Sequence, residues 1–164
     1  MSLRYAAALA VTVAALLGGA ACQVERPNQA SGAITITVEP NPVVIRVACL
    51  ASVPPPEFCL ASLDPTITVA ETGGVGGRLE LIELIVRNTS TGTEEGRVTL
   101  DPTWIRTQAG TDRLEAGGRL AFRPVVSGYR VRNGTVPQLV FTITVKFVDD
   151  HGNIISQSQQ VGGA

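Results

Sequence analysis

The sequence predicts an all-β protein, an antiparallel β-sandwich of about eight strands, on three observations. Within residues 138–150, Leu139, Phe141, Ile143, Val145 and Phe147 fall on one face, and Thr142, Thr144 and Lys146 on the other. That period of two is the mark of a strand with one buried face. Other short alternating runs recur along the chain, separated by Gly, Pro, Asn and Asp turn signals roughly every dozen residues. No stretch reads securely as a helix.

The chain begins with a different kind of signal. Arg4 supplies a short positive region, residues 6–17 an apolar run, and Gly18, Gly19, Ala20 and Ala21 a small-residue cleavage site before Cys22. This is the pattern of a secretory signal, and its apolar run is shorter than the ~20 residues a spanning helix needs. Ala20, Ala21 and Cys22 resemble the lipobox of bacterial lipoproteins, with Gly19 where that family usually has an aliphatic residue. The resemblance implies that Cys22 is lipidated and becomes the new N-terminus. It also accounts for an odd count of three cysteines, leaving Cys49 and Cys59 to pair. Ordinary cleavage is the alternative and would leave Cys22 a free thiol in a tail. The expected organisation is a signal peptide over residues 1–21, a flexible tether over 22–32 and a β-sandwich domain over 33–164. The expected location is the membrane-anchored envelope face, periplasmic or surface.

Composition narrows the function. The net charge is −1 and the pI about 5.8, with no basic patch, which argues against a nucleic-acid partner. One histidine and scattered carboxylates make a thin inventory for chemistry. The expectation is therefore a non-enzyme with no catalytic residues, no cofactor and no metal.

In chain order, residues 34–38 (Ile-Thr-Ile-Thr-Val) and 43–47 read as two short strands split by Pro40 and Pro42, an edge that crosses between sheets. Residues 49–59 follow, where Pro54, Pro55 and Pro56 forbid a helix and favour an extended polyproline conformation. A Cys49–Cys59 bridge would close a small loop there, worth about 2.5 to 3 kcal/mol by chain entropy, in the oxidising compartment the leader implies. Residues 65–70 alternate as a strand. Residues 78–87 are ambiguous: Leu79, Ile82, Glu83 and Val86 share a helical face, while Ile82, Leu84 and Val86 alternate. Flanking turns and β-branched residues favour a strand with an irregularity near Glu83. Residues 97–100, 103–107 and 118–122 are further strand candidates, and 124–131 continues the last around Gly128. Asn133 and Gly134 mark a turn into residues 138–150, and Asp149–Asn153 a second turn into a return segment starting at Ile154.

On this pattern the chain resembles bacterial immunoglobulin-like and fibronectin-III-like domains of envelope proteins. The carriers are residues 113–120 (Arg-Leu-Glu-Ala-Gly-Gly-Arg-Leu), the Phe-Thr-Ile-Thr-Val run at 141–145, and the turn at Asp150–Asn153. The resemblance spans residues 33–161 and implies architecture rather than activity. Cys49 and Cys59 lie too close in sequence for the inter-sheet bridge of antibody domains, and the single Trp104 falls outside their span.

Candidate sites follow. The glycine-rich residues 71–77 lack the lysine and spacing of a phosphate loop and read as a turn. His151 is expected as an exposed turn residue, since no activated serine motif accompanies it. Asp149, Asp150 and Asn153 could offer oxygens to calcium, but lack EF-hand spacing and suit a tight turn. The proline loop is the strongest binding candidate: Val53, Pro54, Pro55, Pro56, Glu57 and Phe58 sit on a preordered backbone, which lowers the ordering cost of binding. The simpler expectation tucks Phe58 into the core and leaves the bridge as a staple. Trp104, beside Ile105, is a candidate contact residue or a core filler. The function expected is a non-catalytic envelope lipoprotein, binding protein or carbohydrate or serving a structural role, with the membrane as partner through the lipid. The alternative is a protease-inhibitor-like protein acting through residues 49–59.

Overall fold

The computed structural model describes residues 30–51, 54–135 and 138–163. In chain order these form β1 (Ile34–Glu39), β2 (Arg46–Ala48), β3 (Phe58–Leu63), β4 (Thr66–Glu71), β5 (Gly77–Asn88), β6 (Glu94–Leu100), α1 (Pro102–Ala109), β7 (Arg113–Leu114), β8 (Arg119–Phe122), β9 (Val126–Arg132), β10 (Leu139–Asp149) and β11 (Ile154–Gly162). Cys22, the leader and most of the expected tether lie outside the described residues, as does Val53.

The strict alternation of residues 139–149 places β10 inside one layer. Every second residue from Leu139 to Asp149 is buried, and the strand pairs antiparallel with β5 on one side and β11 on the other. With β6 beyond β5, the sheet order is β11-β10-β5-β6, and β7 pairs with the start of β5. The facing layer comprises two three-stranded sheets, β1-β4-β8 and β2-β3-β9. The same three chain segments run through both in the same order, and Pro40 and Pro42, Pro65 and Pro124 stand at the three crossings. Proline lacks the N–H that a ladder needs, so hydrogen bonding stops along this line and the layer divides. The inward residues of all three sheets meet in one core, with Phe122, Phe141 and Phe147 among its largest fully buried members. The protein is an antiparallel, all-β sandwich.

Eleven strands are described against about eight expected. Part of the difference is the proline line, which cuts long segments in two, and part is β3, whose Cys-Leu-Ala-Ser sequence carries little strand propensity. The irregularity expected near Glu83 lies at Glu80. Lys146 faces Leu81 and Phe147 faces Leu79, so Glu80 is the unpaired extra residue of a bulge. The bulge buries both Leu79 and Ile82, and that three-residue spacing is what imitated a helix.

Residues 103–107, expected as a strand, are instead within α1, which is a correction. The Asp101 side chain accepts from Trp104 N at 2.7 Å, Pro102 occupies the first turn, and Gly110 closes the helix at φ 77°, its N–H donating to Arg106 O. Asp-Pro is a turn signal, but it is also the start of a capped helix. With Ile105 as its one buried residue, α1 has no repeated apolar face for periodicity to show.

Candidate functional site

The two ends of the sandwich differ in what their residues do. At one end the chain enters the domain through two buried carboxylates. Asp149 accepts from Gly32 N at 2.9 Å, His151 N at 3.0 Å, Asn153 N at 2.8 Å and Asn153 Nδ2 at 2.9 Å. Burial alone would push the Asp149 carboxyl up, but these hydrogen bonds outweigh it and hold it at about 2. Glu71 accepts from Gly73 N, Gly74 N, Gly117 N and Ala33 N. Its carboxyl too is lowered, because those bonds outweigh the upward push of burial. The glycine-rich loop thus directs its N–H groups at an anion that the protein itself supplies. Asp150 forms a two-pronged pair with Arg113 at 2.9 and 2.8 Å. The Asp149 and Asp150 carboxylate oxygens considered for calcium therefore face N–H donors, and Asn153 is one of those donors. Among the described residues, no group of three or more His, Cys, Asp or Glu side chains is placed to hold a metal ion. His151 is exposed, and its Nδ1 lies 2.9 Å from Ala30 O.

The other end carries the proline loop. Cys49 and Cys59 form a disulfide, with Cα atoms 4.4 Å apart. Asn133, in the β9–β10 turn, grips the closed loop, its backbone N–H donating to Glu57 O at 2.8 Å and Nδ2 to Pro56 O at 3.1 Å. Pro54, Pro55 and Glu57 are exposed and Pro56 half-buried. Phe58 is 48% exposed, correcting the expectation that it tucks into the core. The reason is phase: in β3 the inward positions belong to Cys59, Ala61 and Leu63, so Phe58 and Leu60 point out. Of the exposed large apolar residues, Val44, Val47, Leu50, Phe58 and Leu60 all lie in or beside β2 and β3. Trp104 is not part of this group. It is half-buried on α1, its ring 6.4 Å from Phe122.

Beside Phe58 a cleft of about 420 Å³ opens between β9 and the β5–β6 turn, lined also by Asn88, Ser90, Tyr129, Arg130 and Gln138 among others. Tyr129 is 3% exposed, and among the described residues its hydroxyl has no hydrogen-bond partner. Burial pushes that hydroxyl up to about 12. The ring lies against Gly96 of β6, where an added Cβ would be 2.3 Å from Tyr129 Cε1. None of these residues except Phe58 stands out in the sequence, because three separate segments bring them together. The one textual sign is Gly96, a glycine within a strand, which marks a close approach.

No protein-family model matches the chain, and no curated protein matches it. Among solved structures, it is similar to the X-ray structure of Northeast Structural Genomics Consortium target SoR45. The TM-score is 0.51 with 15% sequence identity, covering 78% of this chain and 85% of that one. At that identity the likeness is one of fold, and what the chain shares with that protein is an all-β architecture.

Proposed function

We propose that the chain is a non-catalytic, exported envelope lipoprotein whose immunoglobulin-like sandwich displays a binding surface at the end away from its membrane anchor. The observation that carries this is the separation of the two ends. The chain enters at Gly32 and Ala33 beside Asp149 and Glu71, whereas the disulfide-closed loop, the exposed Phe58 and the cleft lie at the opposite end. The eleven residues of β10 span the distance between, roughly 35 Å at 3.4 Å per residue. A lipid on Cys22 and a short tether would hold the first end near the membrane and present the second outward. The immunoglobulin-like assignment draws support from an antiparallel sheet β11-β10-β5-β6 facing a second layer, divided into two three-stranded sheets, around one core.

The inhibitor-like alternative draws on the exposure of Phe58. Against it, Glu57 O and Pro56 O are engaged by Asn133, and Phe58 is paired with Arg132 in the sheet. A substrate-like loop needs that main chain available to a protease cleft.

The test compares wild type with Cys22→Ser by membrane fractionation, then compares cross-linked partners of wild type with those of a Gly/Ser replacement of residues 54–58. The expected outcome is that Cys22→Ser moves to the soluble fraction and that the replacement loses adducts that wild type forms. Equal release of both proteins removes the anchor, and identical adducts remove the outward binding end.

A further inference from the structure

The cleft between β9 and the β5–β6 turn has a lining whose chemistry specifies a ligand. Its volume of about 420 Å³ falls in the range of small-molecule sites, about 300 to 1,000 Å³. Three of its side-chain acceptor oxygens are occupied. Asn88 Oδ1 accepts from Ser90 N at 2.9 Å, and Gln138 Oε1 accepts from Ser90 Oγ at 3.0 Å. Glu95 Oε1, on the same wall, accepts from the Thr93 hydroxyl at 2.8 Å.

Of its donors, the Ser90 and Thr135 hydroxyls are engaged, and four others are not. Among the described residues, Asn88 Nδ2, Gln138 Nε2 and the Arg130 guanidinium make no hydrogen bond or ion pair. Tyr129 adds a hydroxyl that is almost wholly buried and has no partner among the described residues. A buried hydroxyl left without a partner is unfavourable, and such groups are rare enough in folded proteins to need an explanation. Of the charged side chains in the lining, Arg132 pairs with Glu57, which leaves the Arg130 cation unpaired in a lining shared with Glu95. The result is a net positive wall whose free donors suit a ligand rich in acceptors and carrying an anion. Phe58 stands at the rim with its ring half exposed, and an aromatic face, negative at its centre, suits the C–H face of a sugar ring.

We propose that this cleft binds an acidic oligosaccharide, with a uronic-acid carboxylate on Arg130, ring hydroxyls on Asn88, Gln138 and Tyr129, and a sugar face on Phe58. The proposal rests on the outward end of the sandwich being its binding end, and names what that end takes. Gln138 and Ser90, hydrogen-bonded to each other across the β9–β10 and β5–β6 turns, fix the amide so that its Nε2 is the atom left to donate.

The experiment titrates the full chain calorimetrically with tetragalacturonate, galacturonic acid, neutral maltotetraose and tetraglutamate. Tetragalacturonate is expected to bind at least about tenfold more tightly than the neutral sugar or the acidic peptide, as one charge-assisted contact and a matched set of neutral ones require. Galacturonic acid separates a single sugar acid from a polymer: weaker binding than the tetramer assigns the cleft to a chain, and equal binding assigns it to one residue of such a chain. Arg130→Gln should weaken tetragalacturonate about tenfold and leave maltotetraose unchanged.

Tyr129→Phe is the sharper variant. Removing a hydroxyl that lacks a partner in the free protein should leave the melting temperature unchanged or raised, while weakening tetragalacturonate at least about threefold. Unchanged binding in Tyr129→Phe or Arg130→Gln overturns the proposal, and so does tetraglutamate binding as tightly as tetragalacturonate. Absence of oligouronate binding beside loop-dependent cross-linked adducts overturns the sugar site alone and leaves the outward binding end standing.

Discussion

At the scale of single residues, buried carboxylates rather than reactive groups give this protein its most specific side-chain geometry. Asp149 holds three backbone N–H groups and one side-chain amide, joining the start of the domain to the β10–β11 turn. Its carboxyl lies at about 2 against an ordinary 3.8, burial opposing and the hydrogen bonds prevailing. A depressed carboxyl contributes stability that is complete above the unfolded value and is lost as pH falls through the folded one. Asp149 should therefore stabilise the fold fully above pH ~4 and progressively less down to pH ~2. Thermal melts of wild type and Asp149→Asn are expected to differ at neutral pH and to converge at pH ~2, since protonated Asp149 resembles the amide. A difference that persists at pH ~2 would assign the contribution to something other than the charge. In the sequence Asp149 reads correctly as a turn residue, but its partner Gly32 lies 117 positions away, and no local pattern encodes a contact of that separation.

At the scale of elements, most of the strands are legible because burial on one face leaves a period of two in the text. Residues 34–38, 65–70 and 139–149 are the clearest cases, and β1, β4 and β10 follow them closely. Where two rules compete, the text misleads. In β5 the bulge at Glu80 resets the phase, so Leu79 and Ile82 share the core side at helical spacing. In α1 the Asp101 cap and Gly110 define a helix too short to show its own period. Asp101→Ala should lower stability by about 0.5 to 2 kcal/mol, measured by urea denaturation, with the m-value unchanged. A loss much below this would mean that the packing of Ile105 and Trp104, rather than the cap, holds the helix. Gly96 belongs to this scale too, because it sets how closely β6 approaches Tyr129 of β9. Gly96→Ala should destabilise by about 1 to 3 kcal/mol, since the ring must shift for a Cβ to fit, and the same melts would show it.

For the whole molecule, the disulfide and the proline line act on different states of the chain. The Cys49–Cys59 bridge closes a ten-residue separation and restricts mainly the unfolded chain. A Cys49→Ala/Cys59→Ala variant should lose about 2.5 to 3 kcal/mol in the chain-entropy account. Wild type under reducing conditions should lose the same, and a much smaller loss would show that Asn133 alone orders the loop. The prolines act in the folded state, dividing one layer into two sheets at matched points of three segments. The fold class and the place of most turns were legible along the chain. Both are local matters of side-chain period and backbone preference, whereas the expected Cys49–Cys59 pair followed from the lipobox resemblance at Cys22. Packing across the sheets is what turns Phe58 outward, buries Tyr129 with no partner among the described residues, and brings Asn88, Arg130 and Gln138 into a cleft with both. The physical reason is that a cleft forms where strand phase, a close approach at Gly96 and two separate turns coincide, and those relations cross the whole sheet rather than run along the chain.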